Sequence, residues 1–102
     1  MLKAMADPVR LRLLNLLADQ EVCVCHLHDA LNLPQPTVSR HLAYLRKTGL
    51  VVGRKDGLWV HYRMAEPTTD LHRMLVDEVV PCLADLASLK ADRARLDLLS
   101  CC

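Results

Sequence analysis

Residues 32–63 read NLPQPTVSRHLAYLRKTGLVVGRKDGLWVHYR, and this stretch decides the fold. Its first half has an apolar stripe at helical spacing that ends at Gly49, a residue suited to a helix C-terminus. Its second half changes to two runs of β-forming residues, 50–54 and 58–63, separated by Asp56-Gly57, which is a strong hairpin signal. The stretch therefore predicts a helix followed by a β-hairpin. The stripe consists of Val38, Leu42 and Leu45.

Two further helices are predicted before this stretch. Asp7 and Pro8 suit the N-cap and the first position of a helix over 8–18. Apolar residues spaced three and four apart predict a short helix over 24–31, which Asn32-Leu-Pro34 ends. A short helix, a tight turn and the helix that starts near Gln35 form a helix-turn-helix. We expect a mainly α protein with one β-hairpin, that is, a winged helix-turn-helix.

A long apolar helix is expected after the hairpin, over about 69–98, with a kink or split at Pro81. The sequence holds no further segment that could cover its leucine stripe, so the simplest cover is the same helix of a second copy. We expect one domain over residues 1–102 that forms a homodimer through its terminal helices. Residues 99–102 form a tail that contains Cys101 and Cys102.

Positive charge is concentrated where the predicted helix-turn-helix and hairpin lie. By count, residues 35–63 carry a net charge of about +5, whereas the whole chain carries only +1. A basic surface of this kind suits a polyanion, and a recognition helix reads DNA bases with the residues at its start. The residues predicted to contact double-stranded operator DNA are Gln35, Thr37, Ser39, Arg40 and His41 on the helix, with Arg54 and Lys55 on the wing.

The same stretches resemble the arsenic-repressor (ArsR/SmtB-type) family. The resemblance covers about residues 4–75 and rests on three motifs: 33–51 around the recognition helix, Ala6-Asp-Pro-Val-Arg-Leu11, and the wing Gly57-Leu-Trp-Val-His-Tyr62. It implies a dimeric winged-helix repressor that leaves its operator when an inducer ion binds.

Four cysteines are predicted to hold that inducer: Cys23, Cys25, Cys101 and Cys102. Residues 21–28, with Cys23 and Cys25, resemble the arsenic-sensing motif of the family, except that His28 stands where the motif has its third cysteine. Trivalent arsenic and antimony prefer soft thiolate ligands. Either Cys101 or Cys102 completes a site of three thiolates, or a methylated arsenic species binds only two. In the latter case Cys101-Cys102 could act alone or with Cys82, although Cys82 is more readily explained as a core residue.

Two other inducers are compatible with the same cysteines. The thiols could respond to oxidation by forming a disulfide. Zinc or cadmium could bind Cys23, Cys25 and His28. The resemblance also suggests a zinc site on the long helix, of which Asp70 and His72 match one half; Leu83 and Leu86 occupy the other half, so we predict no zinc there.

The position of Cys23 and Cys25 suggests how an inducer would act. Two positions that are two residues apart on a regular helix point about 200° apart. If both cysteines lie on the helix, one ion that binds both must distort its start and so displace the recognition helix.

Several function classes are excluded. With only three glycines, the chain has no phosphate-binding loop, and it has no catalytic Cys-x-x-Cys, so we expect no enzyme and no organic cofactor. No apolar run reaches the roughly 20 residues that a membrane span requires, and Met1-Leu-Lys-Ala4 is unlike a secretory signal. We therefore expect a cytoplasmic protein without a membrane partner.

Overall fold

The computed structural model describes residues 2–83 and 87–99. The predicted ligands Cys101 and Cys102 lie outside the described residues. The elements are, in order, a short 3-10 helix (Lys3–Met5), α1 (Pro8–Leu17), β1 (Val22–Cys23), α2 (Val24–Leu31), α3 (Gln35–Lys47), β2 (Val51–Asp56), β3 (Trp59–Met64), α4 (Asp70–Met74), a π-helical turn (Leu75–Val79), α5 (Val80–Leu83) and α6 (Ala87–Asp97).

Helix α1 begins as its sequence predicts. The Asp7 carboxylate accepts hydrogen bonds from the backbone N–H groups of Val9 and Arg10 at 2.8 and 3.2 Å, which satisfies two donors that the helix itself cannot. The buried leucines of this helix form the centre of the core, and both helices of the helix-turn-helix pack on them. These leucines are Leu13, Leu14, Leu16 and Leu17.

The helix-turn-helix is formed by α2 and α3. Helix α2 ends at Asn32, whose φ of 56° places it in the left-handed conformation that an asparagine tolerates. Pro34 has an extended backbone and is the N-cap residue of α3. Val38, Leu42 and Leu45 are completely buried, so the predicted stripe is the inner face of α3.

The wing contains one strand more than predicted. Strands β2 and β3 form the expected antiparallel hairpin, with Gly57 at a φ of 63° in the two-residue turn. Strand β1 pairs with the other edge of β3, so the sheet order is β1-β3-β2. A two-residue strand is too short to produce an alternating pattern, which explains why the sequence did not reveal it.

The C-terminal helical region, predicted over 69–98 with a kink or split at Pro81, consists of α4, the π-helical turn, α5 and α6. A π-helical turn, in which the N–H of Val80 donates to the carbonyl of Leu75, precedes Pro81, as expected where proline removes a backbone donor. Helix α6 packs against α1 and α2 of its own chain. Within the described residues, no helix combines the length and hydrophobicity needed to cross a membrane.

Candidate nucleic-acid interface and thiol site

The outer face of α3 carries the predicted base-reading residues. Gln35 and Arg40 are exposed, and Thr37 and Ser39 are partly exposed. They lie opposite Val38 and Leu42, whose burial fixes the rotation of the helix. The first turn of α3 therefore presents hydrogen-bonding side chains outward from a rigid support, which is the arrangement required for reading base edges in a major groove.

His41 differs from the other predicted reader residues because it faces its own chain. Its side chain is only 19% exposed, and its Nδ1 lies 4.0 Å from an oxygen of Asp7, the N-cap of α1. Burial raises the pKa of Asp7, but the backbone hydrogen bonds from Arg10 and Val9 and the nearby charge of His41 outweigh it, so the pKa is lowered. The imidazole thus also helps to join the recognition helix to α1.

The two wing cations have different surroundings. Arg54 lies on β2 and donates two hydrogen bonds to the carboxylate of Glu21, from Nη2 at 2.6 Å and from Nε at 3.3 Å. This hydrogen-bonded pair lowers the pKa of Glu21. Lys55, the next residue, is exposed near the wing turn. The structure therefore presents Lys55 to solvent, whereas Arg54 is held beside the segment that precedes β1.

Cys23 and Cys25 converge at the start of α2. Cys23 is the N-cap residue and belongs to β1, with a φ of −68° and a ψ of 142°, and Cys25 is the second residue of the helix. Their sulfur atoms lie 3.0 Å apart. The expectation that the two sulfurs point about 200° apart is wrong, because only one of them lies on the helix. One ion could bind both without distorting α2.

A cavity of about 380 Å³ lies against Cys23. The imidazoles of His26 and His61 line it, Glu21 stands at its edge, and Leu96 of α6 forms an apolar wall. Cys23 itself is buried. The pair of sulfur atoms is thus next to a space that a small inducer could enter, and both the wing sheet and α6 border that space.

The described residues do not assemble the alternative metal sites. No group of three or more His, Cys, Asp or Glu side chains in 2–83 and 87–99 is placed to hold a metal ion. His28 has its Nδ1 3.5 Å from Asp29. His72 is buried, and its Nδ1 accepts the N–H of Thr68. Cys82, predicted to be a core residue, is exposed, because the face of α5 that carries it turns to solvent.

A buried polar joint connects α6 to the helix-turn-helix. Asp92 of α6 accepts two hydrogen bonds from Arg12 of α1 at 2.8 and 2.9 Å, and its side chain is 1% exposed. The same guanidinium donates to the carbonyl of Leu31, the last residue of α2, at 3.0 Å. The side-chain amide of Asn15 donates to the carbonyl of Leu89. Helix α6 is therefore attached to the turn that precedes the recognition helix.

Sequence reasoning missed three residues around the thiols: Glu21, His61 and Leu96. The sequence did not indicate a role for Glu21, because its partner Arg54 is 33 positions away. His61 was assigned to the wing, but the position of the wing sheet beside α2 depends on β1, which was not predicted. Leu96 belongs to the apolar helix that was expected to face a second copy, whereas it is buried within its own chain.

Known proteins resemble the chain over most of its length. The family described as "Bacterial regulatory protein, arsR family" matches residues 7–52. The arsenical resistance operon repressor of Escherichia coli is 44% identical over 81 residues, which are 78% of this chain and 69% of that protein. The transcriptional repressor SmtB of Mycobacterium tuberculosis is 44% identical over 66 residues, which are 65% of this chain and 49% of that protein.

A solved structure shares the fold. HlyU from Vibrio cholerae superposes with a TM-score of 0.70 at 37% identity, covering 85% of this chain and 87% of that one. The relatives are transcriptional regulators and not enzymes, which confirms that expectation and the winged-helix prediction. The chain belongs to the ArsR/SmtB family of DNA-binding transcriptional repressors.

Proposed function

We propose that this repressor is released from its operator when trivalent arsenic or antimony, inorganic or methylated, binds cysteine thiolates that include Cys23 and Cys25. The observation that carries the proposal is the 3.0 Å separation of these two sulfurs at the start of the helix-turn-helix. The relative named for arsenical resistance, from Escherichia coli, supports the choice of ion.

The chemistry is ligand exchange at the trivalent ion. Arsenous acid has three hydroxyl groups, and each Cys–SH that binds forms one As–S bond and releases one water, with no change in oxidation state. Cys23 and Cys25 supply two sulfurs. The third comes from Cys101 or Cys102, which lie outside the described residues, or a methyl group already occupies that position. Soft thiolates select soft ions of this kind.

Operator binding is assigned to the predicted reader residues. Gln35 and Arg40 are exposed at the start of α3 and can each make bidentate contacts to a base, while Thr37 and Ser39 suit shorter contacts. We assign His41 to the edge of this surface, and Lys55 to phosphate on the wing. The wing role of Arg54 depends on Glu21, which holds its guanidinium.

Cysteine substitutions test the inducer. A duplex enriched from random DNA by binding to the protein serves as operator, and its release is titrated with arsenite, methylarsenite and antimonite under reducing conditions. If the proposal holds, Cys23→Ser/Cys25→Ser abolishes release, and Cys82→Ser, the control, responds like the unsubstituted protein. Loss of release in Cys101→Ser/Cys102→Ser as well indicates one composite site. Normal release from both double variants would refute a thiol inducer site.

Oxidation is the second candidate, and the short distance between the sulfurs favours it as well. Closure of a disulfide would remove two electrons and two protons to an oxidant such as peroxide. The reducing conditions separate the candidates: a metalloid releases DNA in the presence of a monothiol reductant, whereas an oxidation switch does not.

We further propose a homodimer that uses the exposed apolar face of α4 and the π-helical turn. Leu71, Met74 and Val79 are 45%, 59% and 38% exposed and lie on one stripe. Sedimentation should give twice the 11.5 kDa chain mass. Met74→Arg should yield monomer, whereas Leu98→Arg, on an exposed position of the chain, should not. A monomeric unsubstituted protein at micromolar concentration would refute the dimer.

A further inference from the structure

Arg54 has two possible partners of negative charge. Its position on the wing hairpin suits a DNA phosphate, but its guanidinium forms a bidentate pair with Glu21. The pair with Glu21 uses the Nε and Nη2 donors of Arg54 and neutralises its charge locally, so Glu21 competes with a phosphate for the guanidinium. The position of Glu21 therefore influences how strongly Arg54 can bind DNA.

Glu21 is connected to the thiol site through the sheet. Cys23 on β1 pairs with His61 on β3, and His61 pairs with Arg54 on β2. Residues directly opposite each other in antiparallel strands place their side chains on the same face, so these three form one row across the sheet. The ion pair extends over β3 to Glu21, two positions before Cys23. A restraint on Cys23 therefore also limits the backbone position of Glu21, whose carboxylate holds Arg54.

The pair is able to exchange because it is exposed. The side chains of Arg54 and Glu21 are 56% and 32% accessible, and exposed ion pairs are weak and sensitive to salt. Asp56 on the same strand lies farther from the guanidinium, at 3.9 Å. DNA phosphates can therefore compete with Glu21 for Arg54, and a small bias in the position of Glu21 changes the outcome.

We propose that Glu21 is a switch residue of the wing: it withdraws Arg54 from the DNA backbone when an ion occupies the Cys23–Cys25 site, and it yields Arg54 to a phosphate in the operator complex. The proposal rests on the proposed function for its trigger. An ion that joins Cys23 of β1 to Cys25 of α2 restrains the segment before β1 against β3, which favours the state in which Glu21 reaches Arg54. A ligand shifts such an equilibrium only through this kind of difference between the two states. The thiol site therefore communicates with DNA through the wing sheet.

The experiment compares Glu21→Gln with Asp56→Asn. Each removes one acidic charge near Arg54, but only the first removes its bidentate partner. Affinity for the enriched duplex is measured by fluorescence anisotropy over a salt series. We expect Glu21→Gln to bind more tightly and to steepen the slope of log K against log salt by about 0.9, the value for one added phosphate contact. Asp56→Asn should keep the slope of the unsubstituted protein. Arg54→Gln introduced into Glu21→Gln should remove the added slope.

Release by sodium arsenite completes the test. Glu21→Gln should require a higher arsenite concentration than the unsubstituted protein or Asp56→Asn. An unchanged slope in Glu21→Gln, or an equal change in Asp56→Asn, would overturn the proposal even if arsenite still releases the unsubstituted protein. Conversely, the slope could change as expected while arsenite releases no variant. That result would support the exchange of Arg54 between Glu21 and a DNA phosphate, but it would refute the arsenite trigger and the proposed function.

Discussion

Two arginine–carboxylate pairs in this protein have the same chemistry and opposite surroundings. Arg12 and Asp92 join α1 to α6; the Asp92 side chain is only 1% exposed and the Arg12 side chain 27%, so the contrast rests on the buried carboxylate. Arg54 and Glu21 join the wing to the segment before β1, with both side chains accessible. A buried charge must keep its partner, whereas an exposed charge can exchange its partner for water or phosphate. Burial thus assigns the first pair to stability and leaves the second available for regulation.

The largest expected effect comes from breaking the buried pair. Asp92→Ala leaves the guanidinium of Arg12, which is 27% exposed, without its carboxylate. We expect a loss of about 3 kcal/mol in the free energy of unfolding, measured in urea, the lower end of the range for a broken buried pair. Asp97→Ala, which removes an exposed acid from the same helix, is the control and should change little. If Asp92→Ala unfolded at the urea concentration of the control, the contrast between the two pairs would be wrong.

Substitutions on the DNA-facing surface should instead weaken DNA binding and leave the stability of the protein unchanged. Arg40→Ala is expected to weaken operator binding by about 1–3 kcal/mol, as the loss of a base contact does, while its urea midpoint remains unchanged because Arg40 is exposed. Lys55→Ala should weaken binding to all sequences alike and flatten the salt slope. Fluorescence anisotropy with operator and unrelated duplexes measures both. Unchanged operator affinity in Arg40→Ala would contradict the assignment of α3 as reader.

The sequence predicted those features that depend on neighbouring residues. Asp7 and Pro8 predicted the start of α1, the apolar stripe predicted the inner face of α3, and Asp56-Gly57 predicted the hairpin turn. Each follows from helical or strand periodicity, capping or turn chemistry. The candidate DNA-contacting residues followed from the same patterns, because the buried stripe of a helix also determines which face of that helix is exposed.

Features that depend on distant residues were not predictable in this way. The fold-back of α6 requires the pairing of Arg12 with Asp92, 80 positions apart, and the leucines of α6 fit a dimer interface equally well. The convergence of the two sulfurs depends on Cys23 belonging to β1, a strand that exists only because β3 offers a free edge. Local propensity contains no information about either contact.

An intermediate effect is expected at the N-cap of α1. Asp7→Ala should cost about 1 kcal/mol in the free energy of unfolding because two backbone donors lose their acceptor. Since the pKa of Asp7 is lowered in the folded state, its charge stabilises the protein fully above the ordinary pKa near 3.8, and this contribution is lost as the pH falls through the lowered value. Urea unfolding between neutral pH and about pH 3 measures this.

Asp7→Asn is the matched variant for the cap, because it retains an acceptor that does not titrate. Its stability should lie close to that of the unsubstituted protein at neutral pH and should decline less as the solution is acidified. An identical acid dependence in the two proteins would show that the carboxylate of Asp7 does not contribute to it.

The smallest effect on stability is expected in Glu21→Gln, which breaks the exposed pair. This variant tests most directly how the exposed pair differs from the buried one. In Glu21→Gln, water replaces the lost carboxylate at Arg54, and both side chains regain rotational freedom, so the urea midpoint should equal that of the unsubstituted protein. The same substitution is expected to change the salt slope of DNA binding. A residue with a merely structural role would alter unfolding and DNA binding together. If Glu21→Gln changes DNA binding without changing unfolding, while Asp92→Ala changes both together, then burial assigns one of these two similar pairs to folding and the other to regulation.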